Sequence, residues 1–504
     1  DEINALTFPG DPSDKPAPTN TPTATNTPTA TSTSTATATS TATATESPAT
    51  TQPPSSTPTM TATPPATVRP PTGQNLVYLP AIQGQSGSGN QPSPTPTSPG
   101  SKPPTATPTA TPTSTSAPPA KVWQELGSSS ASQGGLSDNS GDSLFPAVAS
   151  DHLGQPYVVW TDNSSGNEEI YLLYWDKNKN QWRELAGSAS GGGVSNTPKG
   201  DSLRPAIAVD NGDIYVSWED DSSGNYQIYV RRWDPASGKW KNLGPTTGGG
   251  ASNRDNRAWF SSIKIFSGTP YLAFRGRDAS SGGYEIYVKK YNKSKNSWEG
   301  IGGSASGGGI SNTSGDSRKP SIVQVPNGDI YVSWHDKEDG DFDVYVKKWD
   351  GSKWSSATNI SKNSSVSNYS MMVADSDGKL YVSWDDDKPG NREIYLKVYS
   401  GGQWKELGGS ASGGGISKNS GSSRLAAIAV DKTGRPHILW MDDSSGDYEI
   451  YAKRWDGSSW KEIGSASASG GGISKNSTPS ERPWLAISPD GVPYATWADG
   501  PEGK

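Results

Sequence analysis

The sequence predicts an all-β fold: a seven-bladed β-propeller of four-stranded blades, preceded by a long Thr/Pro-rich extended tail. Three observations lead there. A strand ending in an aromatic recurs at Trp160, Trp218, Phe274, Trp334, Trp384, Trp440 and Trp497, every 50–60 residues. Each recurrence sits in a unit of four segments with period-2 alternation, separated by turn-forming residues. All 19 tryptophans fall after residue 120, whereas 25 of the 41 prolines fall before residue 121. Four-stranded units repeated about every 40–60 residues close radially into a propeller, which leaves only short sheet edges.

The tail comes first. Residues 1–120 hold two aromatics, Phe8 and Tyr78, too little apolar surface to offset the entropy of ordering the chain. Residues 11–74 and 84–120 are Thr/Ser/Pro runs such as TPTATNTPTATSTSTATATS, the composition of extended, often O-glycosylated stalks. Two apolar islands interrupt them: DEINALTFPG at 1–10 and NLVYLPAIQ at 75–83. Both read as strands that lack a sheet of their own. The propeller is expected over residues 121–504.

The second unit shows the pattern of the blades: PAIAVD (205–210), DIYVSWED (213–220), YQIYVRRWD (226–234) and KWKNLG (239–244), here strands A to D. Their connections are of hairpin length, so each unit is an antiparallel meander. Tryptophans recur at the end of strand B, late on strand C, and at the start of strand D, which makes them packing residues between blades. An Asp follows the B aromatic by two places at Asp162, Asp220, Asp336, Asp386, Asp442 and Asp499. A short carboxylate there can bond the backbone of the next turn. Glycine-rich loops such as Gly302–Gly309 supply the positive φ angles that a tight crossover between blades needs.

The repeated motifs SASGGGISN (304–312), IYVSW (330–334) and SSGNYQIYVRRW (222–233) resemble the repeat propellers of secreted and surface-attached bacterial proteins. That group is similar in architecture to sialidase-like and lectin-like propellers. The resemblance implies an extracellular, cell-surface location, with any signal peptide already removed. No residue role carries over, because no sialidase set of an Arg cluster, a Tyr/Glu pair and an acid is found.

Composition excludes several functions. Net charge is −7 without a basic run, so no nucleic-acid partner is expected. No apolar stretch approaches 18 residues, so no membrane span is expected. The absence of cysteine removes disulfides and thiolate chemistry. His152, His335 and His437 fall in different blades, and no carboxylate pair stands out for acid–base work. Asp339, Asp341 and Asp343 alternate in a hairpin, but Val344 stands where a calcium loop needs glycine. The expectation is no enzyme, no metal and no cofactor.

Ligand chemistry is expected at the mouth of the central channel, where the residue before each strand A falls. Counting back from strand B gives Phe145, Arg204, Trp259, Lys319, Tyr369, Leu425 and Arg482. This ring varies from blade to blade, and its aromatics and cations suit an anionic or sugar ligand.

The last unit lacks a strand. Strands A and B are present at Trp484, Leu485, Ile487, Tyr494 and Trp497; Val122 and Trp123 in KVWQELG supply strand D. Strand C would begin near position 506, past Lys504. DEINALTFPG aligns without gaps to the sixth blade's YEIYAKRWDG (448–457), which makes Glu2, Ile3, Ala5, Leu6 and Phe8 the expected donor strand. NLVYLPAIQ is the second candidate, on a looser likeness to YLKVYS (395–400). Donation between molecules would make copies of this chain a head-to-tail extracellular filament. Donation within one chain would leave a monomeric stalked lectin that binds glycans. The third alternative is a chain that continues past Lys504.

Overall fold

The computed structural model describes residues 76–78, 80–83, 122–132, 134–245 and 249–500. The chain divides into Asp1–Val68 with Gly503–Lys504, and Arg69–Glu502; every described residue belongs to the second unit. Its elements are all strands, arranged as six four-stranded antiparallel sheets and a seventh sheet drawn from both ends of the described chain. The second blade is typical: Ser202–Asp210, Asp213–Asp220, Gln227–Asp234 and Lys239–Asn242 from inside to outside. No helix among the described residues is long and apolar enough to cross a membrane.

Packing between blades explains the repeats. Trp160, Trp218, Phe274, Trp334, Trp384, Trp440 and Trp497 are all buried. Each of the first six meets the strand C tyrosine opposite, edge-on for Trp160 and Trp384 and stacked for the other four, as Trp440 is on Tyr451 at 6.0 Å between ring centres. The indole N–H of Trp160, Trp334 and Trp384 donates to Asp162, Asp336 and Asp386 at 2.9–3.0 Å. The same carboxylates accept the turn N–H groups of Ser164 and Lys388 at 3.0 Å. On strand D the indoles donate to a carbonyl of the preceding blade: Trp240 to Leu185 at 3.0 Å, and Trp460 to Leu407 at 2.9 Å. Lys347, Lys397 and Lys453 on strand C donate across the same seams at 2.7 Å. The seams thus combine apolar burial with hydrogen-bonded indoles, lysines and carboxylates.

The seventh sheet corrects the expected donor. Its inner strands are Ser480–Ile487 and Pro493–Asp499 and its outer strand is Val122–Glu125, but the middle position is held by Leu76–Tyr78 and Pro80–Gln83. Leu76 pairs with Asp499, Tyr78 with Trp497 and Ala81 with Tyr494, all in one register. Ile82 and Gln83 then pair with Trp123 and Val122. Of the other expected acceptor residues, Trp484, Leu485 and Ile487 pair with Thr496, Ala495 and Pro493 of the inner hairpin. Residues 1–10, with Glu2, Ile3, Ala5, Leu6 and Phe8, lie outside the described residues. With residues 76–83 in the slot, the vacancy that motivates donation between molecules is filled, and the filament loses its structural support.

The reason is legible after the fact. Every complete strand C carries a β-branched residue followed by tyrosine, from Ile170-Tyr171 to Ile450-Tyr451. Val77-Tyr78 repeats that pair in the same register, whereas Ile3 is followed by Asn4. Backbone pairing needs no further side-chain identity. Loop length points the same way. Residues 84–121 connect the slot to strand D, against 11–121 for the N-terminal decapeptide. That threefold difference costs about 1 kcal/mol more for the longer closure.

Buried carboxylates also pair across the seams. Ser480 donates to Asp499 at 2.6 Å and to Glu449 at 3.4 Å; Ser317 joins Asp336 at 2.5 Å and Glu285 at 3.5 Å. Burial pushes the Glu285 carboxyl up to about 7, with Asp336 adding to the rise. Burial and Glu449 push Asp499 up to about 8. A raised folded-state pKa means that stability is present at low pH and is lost as pH rises through that value. Burial holds His335 and His437 below the usual histidine range, so they oppose the trend once the unfolded histidines protonate, below about pH 6.5.

Two outcomes are expected. Deleting residues 75–83 should lower the unfolding free energy by several kcal/mol, at about 1 kcal/mol net per lost hydrogen bond. Deleting residues 1–10 should leave it unchanged; tryptophan fluorescence in a denaturant titration reads both. The melting temperature should rise as pH falls from about 8.5 to 6.5 and rise less steeply below that, where the unfolded histidines take up protons. Asp499→Asn should flatten the rise, which calorimetry across the pH series would register.

Candidate ligand-binding face

Each inner strand carries one bulge near its start. The ladder shifts register between Leu203 and Ala206 in the second blade, and at the matching place in all seven sheets. Inside each bulge one residue takes a left-handed backbone: Phe145, Arg204, Phe260, Lys319, Tyr369, Leu425 and Arg482, with φ between 46° and 55°. An extra residue in this conformation bends the strand and redirects its side chain.

Six of the seven are the residues expected from the sequence; the third is Phe260 and not Trp259. In the third blade strands A and B are joined by the two-residue turn Ser267–Gly268, with Phe266 paired to Thr269. Such turns match the strand twist when both residues have positive φ. The fourth blade instead leaves five residues between Gln324 and Ile330. The second blade has the same two-residue turn, Asn211–Gly212, so in both blades the bulge residue stands one place nearer strand B than elsewhere. A count that allows for this in the second blade but not in the third gives Arg204 correctly and Trp259 in place of Phe260. Trp259 is buried, with its ring 5.2 Å from Tyr284 and the Arg275 guanidinium 5.4 Å away.

Cations and aromatics alternate around this ring. The Arg482 guanidinium lies 4.8 Å from the Phe145 ring centre, and Arg204 lies 5.0 Å from Phe145 and 5.3 Å from Phe260. Lys319 Nζ is 5.1 Å from Phe260 and 3.8 Å from Tyr369. Leu425 completes the circle. At these distances each cation–π contact is worth about 0.5–2 kcal/mol, more where water is excluded.

A second tier comes from the residue that follows the B aromatic, which in six blades lies between it and the Asp. This position holds Thr161, Glu219, Arg275, His335, Asp385, Met441 and Ala498. Glu219 is fully buried; it pairs with Arg204 at 2.7 Å and accepts the Phe260 N–H at 2.7 Å. Asp385 pairs with Arg392 at 2.7 Å. Thr161 accepts the Arg204 N–H at 3.1 Å. His335 packs against Phe342 and Tyr369, with ring centres 5.2 and 5.8 Å away. Burial first, then Arg318, Lys319, Arg275 and Arg392, holds it well below the usual histidine range. His335 is therefore neutral in a cationic field. Beside the first blade, burial and then Asp201 push the Glu168 carboxyl up to about 7.

The sequence reading missed this tier. The variable middle residue of the W-x-D motif was its signal, since the flanking Trp and Asp repeat and the middle residue does not. His437, by contrast, bonds Asp431 at 3.4 Å on the A–B hairpin side, and His152 lies in an A–B hairpin. Asp339 accepts the Tyr345 hydroxyl and Asp343 the Ser361 hydroxyl. Among the described residues no group of three or more His, Cys, Asp or Glu is placed to hold a metal.

No protein-family model matches the chain, and no curated protein does either. Solved structures do. A protein of unknown function from Dyadobacter fermentans is 11% identical over 71% of this chain and 95% of its own, with a TM-score of 0.41. An ulvan lyase, a polysaccharide lyase, is 16% identical over 59% and 80%, with a TM-score of 0.40. A Hadza microbial sialidase is 14% identical over 64% and 68%, also at 0.40. These likenesses concern the fold. They also correct the expectation that the chain is not an enzyme: lyases, sialidases and arabinanases share this architecture. Absence of catalytic spacing in a repeat sequence excludes nothing, because the mouth draws one residue from each blade. The grouping of His335, Glu219 and Asp385 on this face is invisible in the linear order.

The Arg204–Glu219 pair sets a stability expectation. Arg204→Gln leaves Glu219 buried without its cation and should cost about 3–5 kcal/mol. Adding Glu219→Gln should recover most of that loss, because the amide oxygen still accepts the Phe260 N–H. Urea denaturation of the single and double variants measures both steps.

Proposed function

We propose that this propeller binds an acidic carbohydrate on its variable face, outside the cell, with the Thr/Pro-rich region serving as a stalk. The observation that carries this reading is the ring in which Arg482, Arg204 and Lys319 alternate with Phe145, Phe260 and Tyr369. Aromatic faces stack on the apolar faces of sugar rings, and cations fix carboxylate or sulfate groups. The blades repeat their Trp, Asp and Ser packing residues while this face changes from one blade to the next. A protein that needed only a scaffold has no use for five residue types at seven equivalent positions. Whether the bound sugar is also processed is left to Glu168, Glu219, His335 and Asp385, the titratable groups of the same face.

The test is an array of carboxylated, sulfated and neutral glycans. The full chain should be retained by acidic glycans and not by neutral ones. Lys319→Gln with Arg482→Gln should abolish retention. The lost cation–π contacts lower the melting temperature, but the variant should still fold, because neither removal strands a fully buried carboxylate. Equal retention on neutral glycans, or none on any, contradicts the reading.

A further inference from the structure

The mouth is not symmetric. The sixth blade presents Leu425 and Met441, whereas the fourth and fifth gather Arg318, Lys319, His335, Tyr369 and Arg392. The channel wall below that sector has an unusual feature. In the second and third blades, Ser217 and Ser261 bond each other through their hydroxyls at 2.9 Å. Ser333 and Ser370 occupy the matching positions in the fourth and fifth blades, yet each hydroxyl is buried without a hydrogen-bond partner. His335 lies two residues beyond Ser333 on the same strand face, and its Nδ1 is likewise buried and unpartnered. Three such polar atoms at one seam are costly, about 1–3 kcal/mol each, and call for an outside group that satisfies them.

We propose that the acidic sugar seats off the channel axis on the fourth and fifth blades, its acidic group on Lys319 and Arg318 and its hydroxyls on Ser333, Ser370 and His335. This rests on the acidic-carbohydrate reading and names the subsite within it. Tyr369 is the half-buried ring between the two parts of the seat: Lys319 lies over its face and His335 beside it. For a sugar hydroxyl to reach the three buried atoms, this ring has to turn aside. Arg318 is held in place by Asp316 at 2.8 Å and by the Phe342 ring at 5.0 Å, so it presents a fixed donor set. His335, kept neutral by burial and its cationic neighbours, offers a hydroxyl one donor and one acceptor without adding a fourth charge.

The experiment titrates the full chain with polygalacturonate and with dextran sulfate, one carboxylated and one sulfated polymer, followed by calorimetry. Lys319→Gln should weaken the preferred polymer at least tenfold, and Arg482→Gln, across the mouth, less than threefold. Ser333→Ala/Ser370→Ala should hold or raise the melting temperature, since each removes an unpartnered buried hydroxyl, and should weaken binding at least fivefold. A double alanine variant that melts lower and binds unchanged overturns the seat. So does greater sensitivity to Arg482→Gln than to Lys319→Gln, although the broader reading then survives. Failure of wild-type protein to bind either polymer overturns both.

Discussion

A buried carboxylate at the end of the second strand, present in six of the seven sheets, holds this propeller together. Asp220, Asp336, Asp386 and Asp442 each receive an indole N–H, an inner-strand serine and a turn amide. A carboxylate is the one small side chain with enough acceptor sites for that many donors. Its position fixes the aromatic above it, and the aromatic fixes the seam. The cost of burying the charge appears where a second carboxylate approaches, as at Glu285 and Asp499, and the proton is then retained toward neutral pH.

From that constraint the variable face follows. The inner strand leaves its node serine and immediately bulges, so its next side chain is turned toward the channel. The bulge frees an N–H that the ladder no longer uses, and in two blades the neighbouring second strand takes it up through Thr161 or Glu219. The residue at the bulge is thereby positioned by backbone geometry and not by its own chemistry. That separation lets Phe, Arg, Lys, Tyr and Leu occupy equivalent places without disturbing the seams.

Most of the scaffold was legible because its signals are local. Period-2 strands, the recurring Trp and Asp, and the glycine-rich crossovers each report a conformation within a few residues. The face was legible only in part. Six ring residues follow from counting back from strand B, but Phe260 does not, because the two-residue hairpins of the second and third blades shorten the count by one and only the second was counted so. The second tier escaped because Glu219, His335 and Asp385 are ordinary residues until the ring closes and brings them to one mouth. The seventh blade misled for another reason. Four identities between DEINALTFPG and YEIYAKRWDG outweighed the looser likeness of NLVYLPAIQ to YLKVYS, in which the Val77-Tyr78 pair was the telling part. Register, which neither composition nor identity reports, decided the matter.

Hydrogen exchange of the full chain, with and without an excess of acidic polysaccharide, tests the central claim most directly. Slowed exchange should be confined to the bulges and second-strand ends of the mouth, strongest at residues 318–319, 333–335 and 369–370. The A–B hairpins on the opposite side should be unaffected. Protection spread evenly over all blades, or centred on those hairpins, would contradict the assignment of ligand binding to the variable face.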